Sequence, residues 1–140
     1  MHNQLDESTR TWGMVCHLSA LAGFIVPFGS ILAPLIVWLA QKNKHPFVDE
    51  QGRESVNFQI SMIIYLGLLM LVGFILYFSA YFFARSLYFF ARSLGFLLFI
   101  PISIVLSALY VFGLIVVLVA AVKAYNGQSY RYPFNLRFLR

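Results

Sequence analysis

Charge is what this chain has least of. Only 11% of its 140 residues are Asp, Glu, Lys or Arg, roughly half the ~25% of an ordinary soluble domain. The few charges are clustered. None occurs from Thr11 to Gln41, from Ser55 to Ala84 or from Ser93 to Val122, three runs of about 30 residues each, where about 20 apolar residues already span a bilayer as a helix. A domain this small cannot hide three such runs in one core, so a soluble globular protein is excluded, as is a disordered tail. The single Cys excludes an internal disulfide. His2, His17 and His45 are scattered, without metal-ligand spacing. Gly-rich phosphate loops, His-Glu-x-x-His and Gly-x-Ser-x-Gly are all missing. Cys16 and His17 are adjacent, so on a helix they point ~100° apart and cannot pair directly as nucleophile and base. No ionisable Asp, Glu, Lys or Arg sits midway along an apolar run, which counts against an ion-coupled carrier. These absences point away from an enzyme and call for no cofactor or metal.

What remains is apolar: 61% hydrophobic and 18% aromatic residues. The expected fold is all-α, a polytopic integral membrane four-helix bundle. Residues 1–10 are a polar tail, and residues 11–41 are the first apolar segment. Val26-Pro27-Phe28-Gly29-Ser30 breaks that segment with turn chemistry, a fixed φ followed by a glycine free to take φ > 0. This reads as a short helical hairpin broken at Pro27/Gly29, with arms of ~18–22 Å. A single tilted span is the alternative. Trp12 and Trp38 face one side in the hairpin and opposite sides in the single span.

Residues 42–54 form a charged loop. His45-Pro46 interrupts any helix there, and a new helix starts near Val48, with Asp49 and Glu50 at its positive N-terminal dipole. Asp49 and Arg53 are an i,i+4 pair. Residues 55–80 form a transmembrane helix. Residues 81–94 are a tandem heptad, Tyr81-Phe82-Phe83-Ala84-Arg85-Ser86-Leu87 repeated from Tyr88 to Leu94. Because seven residues are nearly two helical turns, Tyr81, Arg85, Tyr88 and Arg92 share a face. These four are candidate lipid-headgroup contacts on an amphipathic interfacial helix between the last two spans. Residues 95–124 form the last transmembrane helix, its crossing starting near Pro101. Residues 125–140 form a basic aromatic tail lying along the headgroups, after an Asn126-Gly127 turn.

Orientation follows from counting. With the hairpin, Arg10, Lys42, Lys44, Arg53, Lys123, Arg131, Arg137 and Arg140 fall on one side, and Arg85 and Arg92 on the other; with a single first span Arg10 changes sides, and the central loop and C-terminus stay where they are. The positive-inside rule then places both termini in the cytoplasm of a multi-pass cell-membrane protein. The formal charge of +5 suits anionic lipid headgroups, and no basic stripe on a soluble surface points to nucleic acid.

The candidate polar positions are His17, Arg53, Glu54, Asn57, Gln59 and Ser61. Glu50, Glu54, Asn57 and Ser61 follow helical spacing as one polar stripe. It is either a vestibule with Arg53 and Glu54 at its mouth or a helix start bonded to its neighbours. His17, an ionisable residue in an apolar segment, is a functional candidate by default and otherwise a hydrogen-bond partner of a neighbouring helix. Ser19-x-x-x-Gly23 and Ser103-x-x-x-Ser107 are small-residue patterns of helix contact.

Three blocks carry a resemblance: Trp12–Gly23; His45-Pro46-Phe47-Val48-Asp49-Glu50-Gln51-Gly52-Arg53-Glu54-Ser55-Val56-Asn57-Phe58-Gln59-Ile60-Ser61; and Lys123-Ala124-Tyr125-Asn126-Gly127-Gln128-Ser129-Tyr130-Arg131-Tyr132-Pro133. They resemble a bacterial and archaeal family of small integral membrane proteins of unknown function. That family is described as similar to the four-helix channel subunit of the chloroplast inner-envelope (Tic) import translocon. The resemblance implies four membrane helices, both termini on one side, and a link to protein translocation. The segment with Arg53 and Asn57 is where the likeness is clearest. Relative to the family's usual length the duplicated heptad looks inserted.

The expected function is a non-enzymatic scaffold or subunit of a membrane assembly, associating with lipid, with copies of itself or with other membrane proteins. A homo-oligomeric channel or small-solute carrier lined by Glu54, Asn57 and Ser61 is the alternative.

Overall fold

The computed structural model describes residues 5–84 and 90–139. The described residues are helical, turn or irregular, with no strand among them. Helix α1, Glu7–Leu18, continues into a 3-10 segment, Ser19–Phe24, and is followed by α2, Gly29–Gln41, α3, Pro46–Ala84, and α4, Phe90–Tyr125. The all-α expectation holds. Helices α3 and α4 contain two stretches long and apolar enough to cross a membrane, Pro46–Phe82 and Phe99–Tyr125.

Each helix end has a local cause. The Asp6 side chain accepts the Thr9 amide at 3.3 Å and caps α1. Pro46 is the first residue of α3, where its missing N–H costs nothing, and His45 Nδ1 accepts the Phe47 amide at 3.1 Å. The helix thus starts two residues before Val48. At the end of α4, Gly127 takes φ +74°. Its amide bonds Ala124 O at 2.9 Å and that of Gln128 bonds Lys123 O at 2.9 Å, the paired pattern of a Schellman stop.

The first apolar segment is a hairpin, which removes the single-span alternative. Its arms, the 3-10 segment and α2, meet at Gly23 and Gly29. A Cβ on Gly29 would lie 2.5 Å from Ala22 O, and one on Gly23 would lie 2.9 Å from Ser30 Cβ. The turn differs from the sequence reading in one respect. Phe28 holds the left-handed conformation, φ 61°, while Gly29 supplies close backbone approach.

The chain forms two compact units. One takes in residues up to Met62 and from Gly113 onward. Its core joins Phe58 of α3 to Val116, Val117 and Ala120 of α4 and to Tyr132 of the tail. The other is Ile63–Phe112. There Gly73 lies against Ile102, and Leu68, Met70, Phe74, Ile104 and Val111 are among many large apolar side chains left exposed.

Two helices run further than the apolar-run reading suggests. Helix α3 extends past residue 80 to Ala84, and α4 begins at Phe90, so Pro101 is interior to it rather than at its start. Of the duplicated heptads, Tyr81–Ala84 continue α3 and Phe90–Leu94 open α4. Tyr81 is exposed. Arg85, Tyr88 and the Arg92 side chain lie outside the described residues, and so does the interfacial role assigned to them.

Candidate functional site

The polar stripe of α3 is the most organised feature of the first unit. Gln51, Glu54, Ser55, Asn57 and Ser61 are all buried, at the three- and four-residue spacing that puts side chains on one helix face. Burial of five polar side chains requires partners, and the C-terminal tail supplies most of them. The Tyr130 amide donates to Gln51 Oε1 at 3.2 Å and the Tyr132 amide to Glu54 Oε2 at 3.4 Å. The Leu136 amide donates to Ser61 Oγ at 2.9 Å. Asn57 clasps Leu139 twice: Nδ2 donates to its carbonyl at 2.9 Å and Oδ1 accepts its amide at 2.9 Å. Side chains of one helix thus stand in for the partner strand that an extended tail lacks.

The tail is hooked, not straight. It meets Gln51 at Tyr130 and Ser61 at Leu136, then returns to Asn57 at Leu139. The bend lies at Pro133-Phe134, with Phe134 at φ 57°. Asn135 fixes the bend by donating to Glu54 Oε2 at 2.6 Å, and Arg137 Nε lies 3.4 Å from Glu54 Oε1. Both oxygens of the Glu54 carboxylate are therefore occupied.

His17 is fully buried and bonded at both ring nitrogens. Nε2 lies 3.1 Å from Gln51 Oε1 and Nδ1 lies 2.9 Å from the Tyr132 hydroxyl. Gln51 Oε1 already accepts the Tyr130 amide, so it is an oxygen and can only accept. Nε2 therefore carries the proton, Nδ1 is the acceptor, and Tyr132 donates to it. The Tyr132 ring stacks on Phe58, with centroids 4.1 Å apart and planes at 12°. Burial pushes the Tyr132 phenol well above its ordinary value near 10, with the charges of Tyr130 and Glu54 adding to the effect. It stays a neutral donor. Cys16, beside His17, is buried, and its carbonyl accepts Ser55 Oγ at 2.8 Å.

Arg53 is half-exposed and paired with Asp49, as the i,i+4 spacing predicts. Asp49 also accepts Trp38 Nε1 at 2.8 Å, which ties α2 to the start of α3. Arg53, Glu54 and Asn57 line an open pocket of about 170 Å³ together with Glu50, Arg131 and Arg137. Gln59 is half-buried on another face. Of the predicted polar positions, His17, Glu54, Asn57 and Ser61 thus join one bonded network and Arg53 sits at its rim.

The sequence reading missed Gln51, Ser55, Tyr132 and Asn135. Gln51 was findable, since it extends the Glu54-Asn57-Ser61 stripe by three residues. The tail residues carried no such signal.

The arrangement is built to hold chain segments together. Among the described residues no three His, Cys, Asp or Glu side chains are grouped to hold a metal ion. Long apolar helices joined at one end by a polar clasp define a helical membrane protein. The magnetosome magnetite crystal formation protein family matches residues 8–139, and the chain belongs to that family. No curated protein and no solved structure matches it. The family match carries no reference to the import translocon, so the translocon likeness gains no support from it.

Proposed function

We propose that the chain is a non-enzymatic, multi-pass scaffold or subunit of a membrane assembly, and that the assembly serves magnetite crystal formation, as the family description states for its members. One observation carries this reading. Most buried polar groups of the α3 stripe are spent on binding the chain to itself, while exposed Leu, Ile, Val and Phe side chains cover the long helices. Apolar surface of that extent is covered by lipid or by other apolar helices. The charge count orients both termini toward the cytoplasm, whether the membrane is that of the cell or of a magnetosome. Anionic headgroups suit Arg131 and Arg137, both exposed on the tail. An import-type assembly is a narrower version of the same reading and rests on the His45–Ser61 block.

Extraction in mild detergent followed by crosslinking tests the proposal. Recovery with further copies or with other membrane proteins supports it; a strictly monomeric particle without partners contradicts it. In a magnetite-forming host, deletion should alter crystal size or number, and unchanged crystals would remove the mineral link.

A homo-oligomeric channel or carrier is the second reading, favoured by the pocket at Arg53, Glu54 and Asn57. The tail occupies the stripe below that pocket, so any path along it requires the tail to leave. Liposome flux that Asn57→Leu changes would support this reading, and absent or unchanged flux would end it.

A further inference from the structure

The hairpin of residues 12–38 is too short to cross a bilayer and too apolar to lie outside one. Both of its tryptophans stand at the same end. The Lys44 ammonium lies 5.6 Å from the Trp12 ring centroid and the Lys42 ammonium 5.3 Å from that of Trp38. Trp38 also bonds Asp49, the partner of Arg53. Tryptophan beside Lys and Arg is the signature of a headgroup interface, so this end of the hairpin marks one membrane surface.

From that surface the depth of the tip follows from helix geometry. Gly29 to Trp38 rises about 14 Å at α-helical pitch. Trp12 to Phe24, partly in the longer 3-10 rise, covers about 20 Å. The hydrocarbon core is ~30 Å thick. The tip therefore reaches the region of the midplane and falls well short of the far surface.

The tip is chemically suited to that depth. Ile25 is 86% exposed and Phe28 73%, and no polar side chain occurs between Ser19 and Ser30. Phe28, Leu32, Ile36 and Leu39 continue down α2 as one exposed apolar stripe. Backbone donors in hydrocarbon need internal partners, and the turn provides them for five of its amides. The amides of Ile25 and Val26 bond Ala22 O, that of Gly29 bonds Val26 O, and those of Ile31 and Leu32 bond Phe28 O. Pro27 has no N–H to satisfy.

We infer that residues 12–38 are a re-entrant hairpin that enters the bilayer from the side of Lys42 and Lys44 and turns back near its midplane, with Phe24–Phe28 set among acyl chains. The chain then crosses the membrane twice, through α3 and α4, and carries a wedge in one leaflet. The inference requires membrane insertion but is independent of any scaffold role.

Site-directed spin labels on the detergent-purified full chain, reconstituted into phosphatidylcholine–phosphatidylglycerol vesicles, test it. In a Cys16→Ser background, a label on Ile25→Cys should show high collision with oxygen and low collision with a water-soluble nickel complex, placing it among the deepest positions. A label on Lys44→Cys should show the reverse. Reaction of Ile25→Cys with an impermeant maleimide from the face opposite Lys44 would overturn the inference in favour of a full crossing. Nickel accessibility equal to that at Lys44→Cys would overturn it in favour of a hairpin outside the membrane. Low oxygen collision together with crosslinking between copies would overturn it in favour of a protein-covered tip. Should Cys16→Ser disturb folding, Phe28→Trp in the otherwise unchanged chain gives an independent measure. Its fluorescence should be quenched most by lipids brominated deep in the acyl chain, and strongest quenching by shallow bromines would contradict the inference.

Discussion

Replacing Tyr132 separates the two forces that hold the tail. Its ring is 4% exposed, stacks on Phe58 and meets His17 and Tyr130 edge-on, at centroid distances of 5.4 and 5.3 Å. Its hydroxyl bonds His17 Nδ1 at 2.9 Å. Tyr132→Phe keeps the ring and removes the bond. The loss is about 1 kcal/mol for the bond, plus about 1 kcal/mol for a buried acceptor left unpaired. Tyr132→Ala removes the ring as well, and truncating a buried aromatic costs about 3–5 kcal/mol. At about 1.4 kcal/mol per factor of ten, the Phe variant should open the tail roughly tens of times more often. The Ala variant should release it outright. Amide hydrogen exchange over residues 128–139 in detergent, read against the α2 amides as an internal reference, measures both. Wild-type exchange in Tyr132→Ala would refute the claim that the ring anchors the tail. Equal exchange in the two variants would refute the division between ring and hydroxyl.

Four further outcomes follow from the same contacts. Asn57→Leu removes both bonds to Leu139, about 2 kcal/mol at ~1 each, so limited proteolysis after Leu136 should quicken while Tyr130 and Tyr132 stay protected. Gly29→Ala should destabilise the hairpin, because the new methyl meets the Ala22 backbone, whereas Gly67→Ala should be neutral or mildly stabilising, since nothing lies within 4 Å of its Cβ; thermal unfolding of the two in parallel checks this. Stability should fall as pH rises above about 10, because the unfolded phenol of Tyr132 ionises there while the folded one, held neutral by burial, does not. In Tyr132→Phe that alkaline slope should shrink. Asp49→Asn keeps the acceptor for Trp38 Nε1 but loses the Arg53 ion pair, so Trp38 emission should change little, while Asp49→Ala should shift it to the red.

The membrane character of the chain was legible because bilayer thickness acts on run length, and three charge-free runs leave few alternatives. The hairpin was legible for a similar reason: about 30 residues are too many for one crossing, and Pro27 cannot continue a helix. The Asp49–Arg53 pair and the polar face of α3 follow from helical period alone. What escaped was set by tertiary contact. The tail alternates aromatic and basic residues and reads as a strip along the headgroups. In fact Tyr132 is buried and Asn135 is bonded to Glu54. A buried polar stripe demands partners, but nothing in its own sequence names a segment about 80 residues away as their source. Pro101 escaped for another reason. It looks like a first-turn proline, yet it lies inside α4, because a membrane helix tolerates one missing hydrogen bond where neighbouring groups take up the freed carbonyl. Phe28 shows a third kind of gap. A turn with Gly29 at hand puts its left-handed residue on a phenylalanine instead, since Gly29 is needed where the arms touch.

The central claim is that this chain's surface serves association and its polar interior serves only its own fold. The particle mass measures that most directly. Membranes are crosslinked before extraction, and the purified particle is weighed by light scattering corrected for bound detergent. The account predicts a mass of several chains, or of this chain with other membrane proteins, and the same mass after Asn57→Leu. A single chain, crosslinked to nothing, would contradict it.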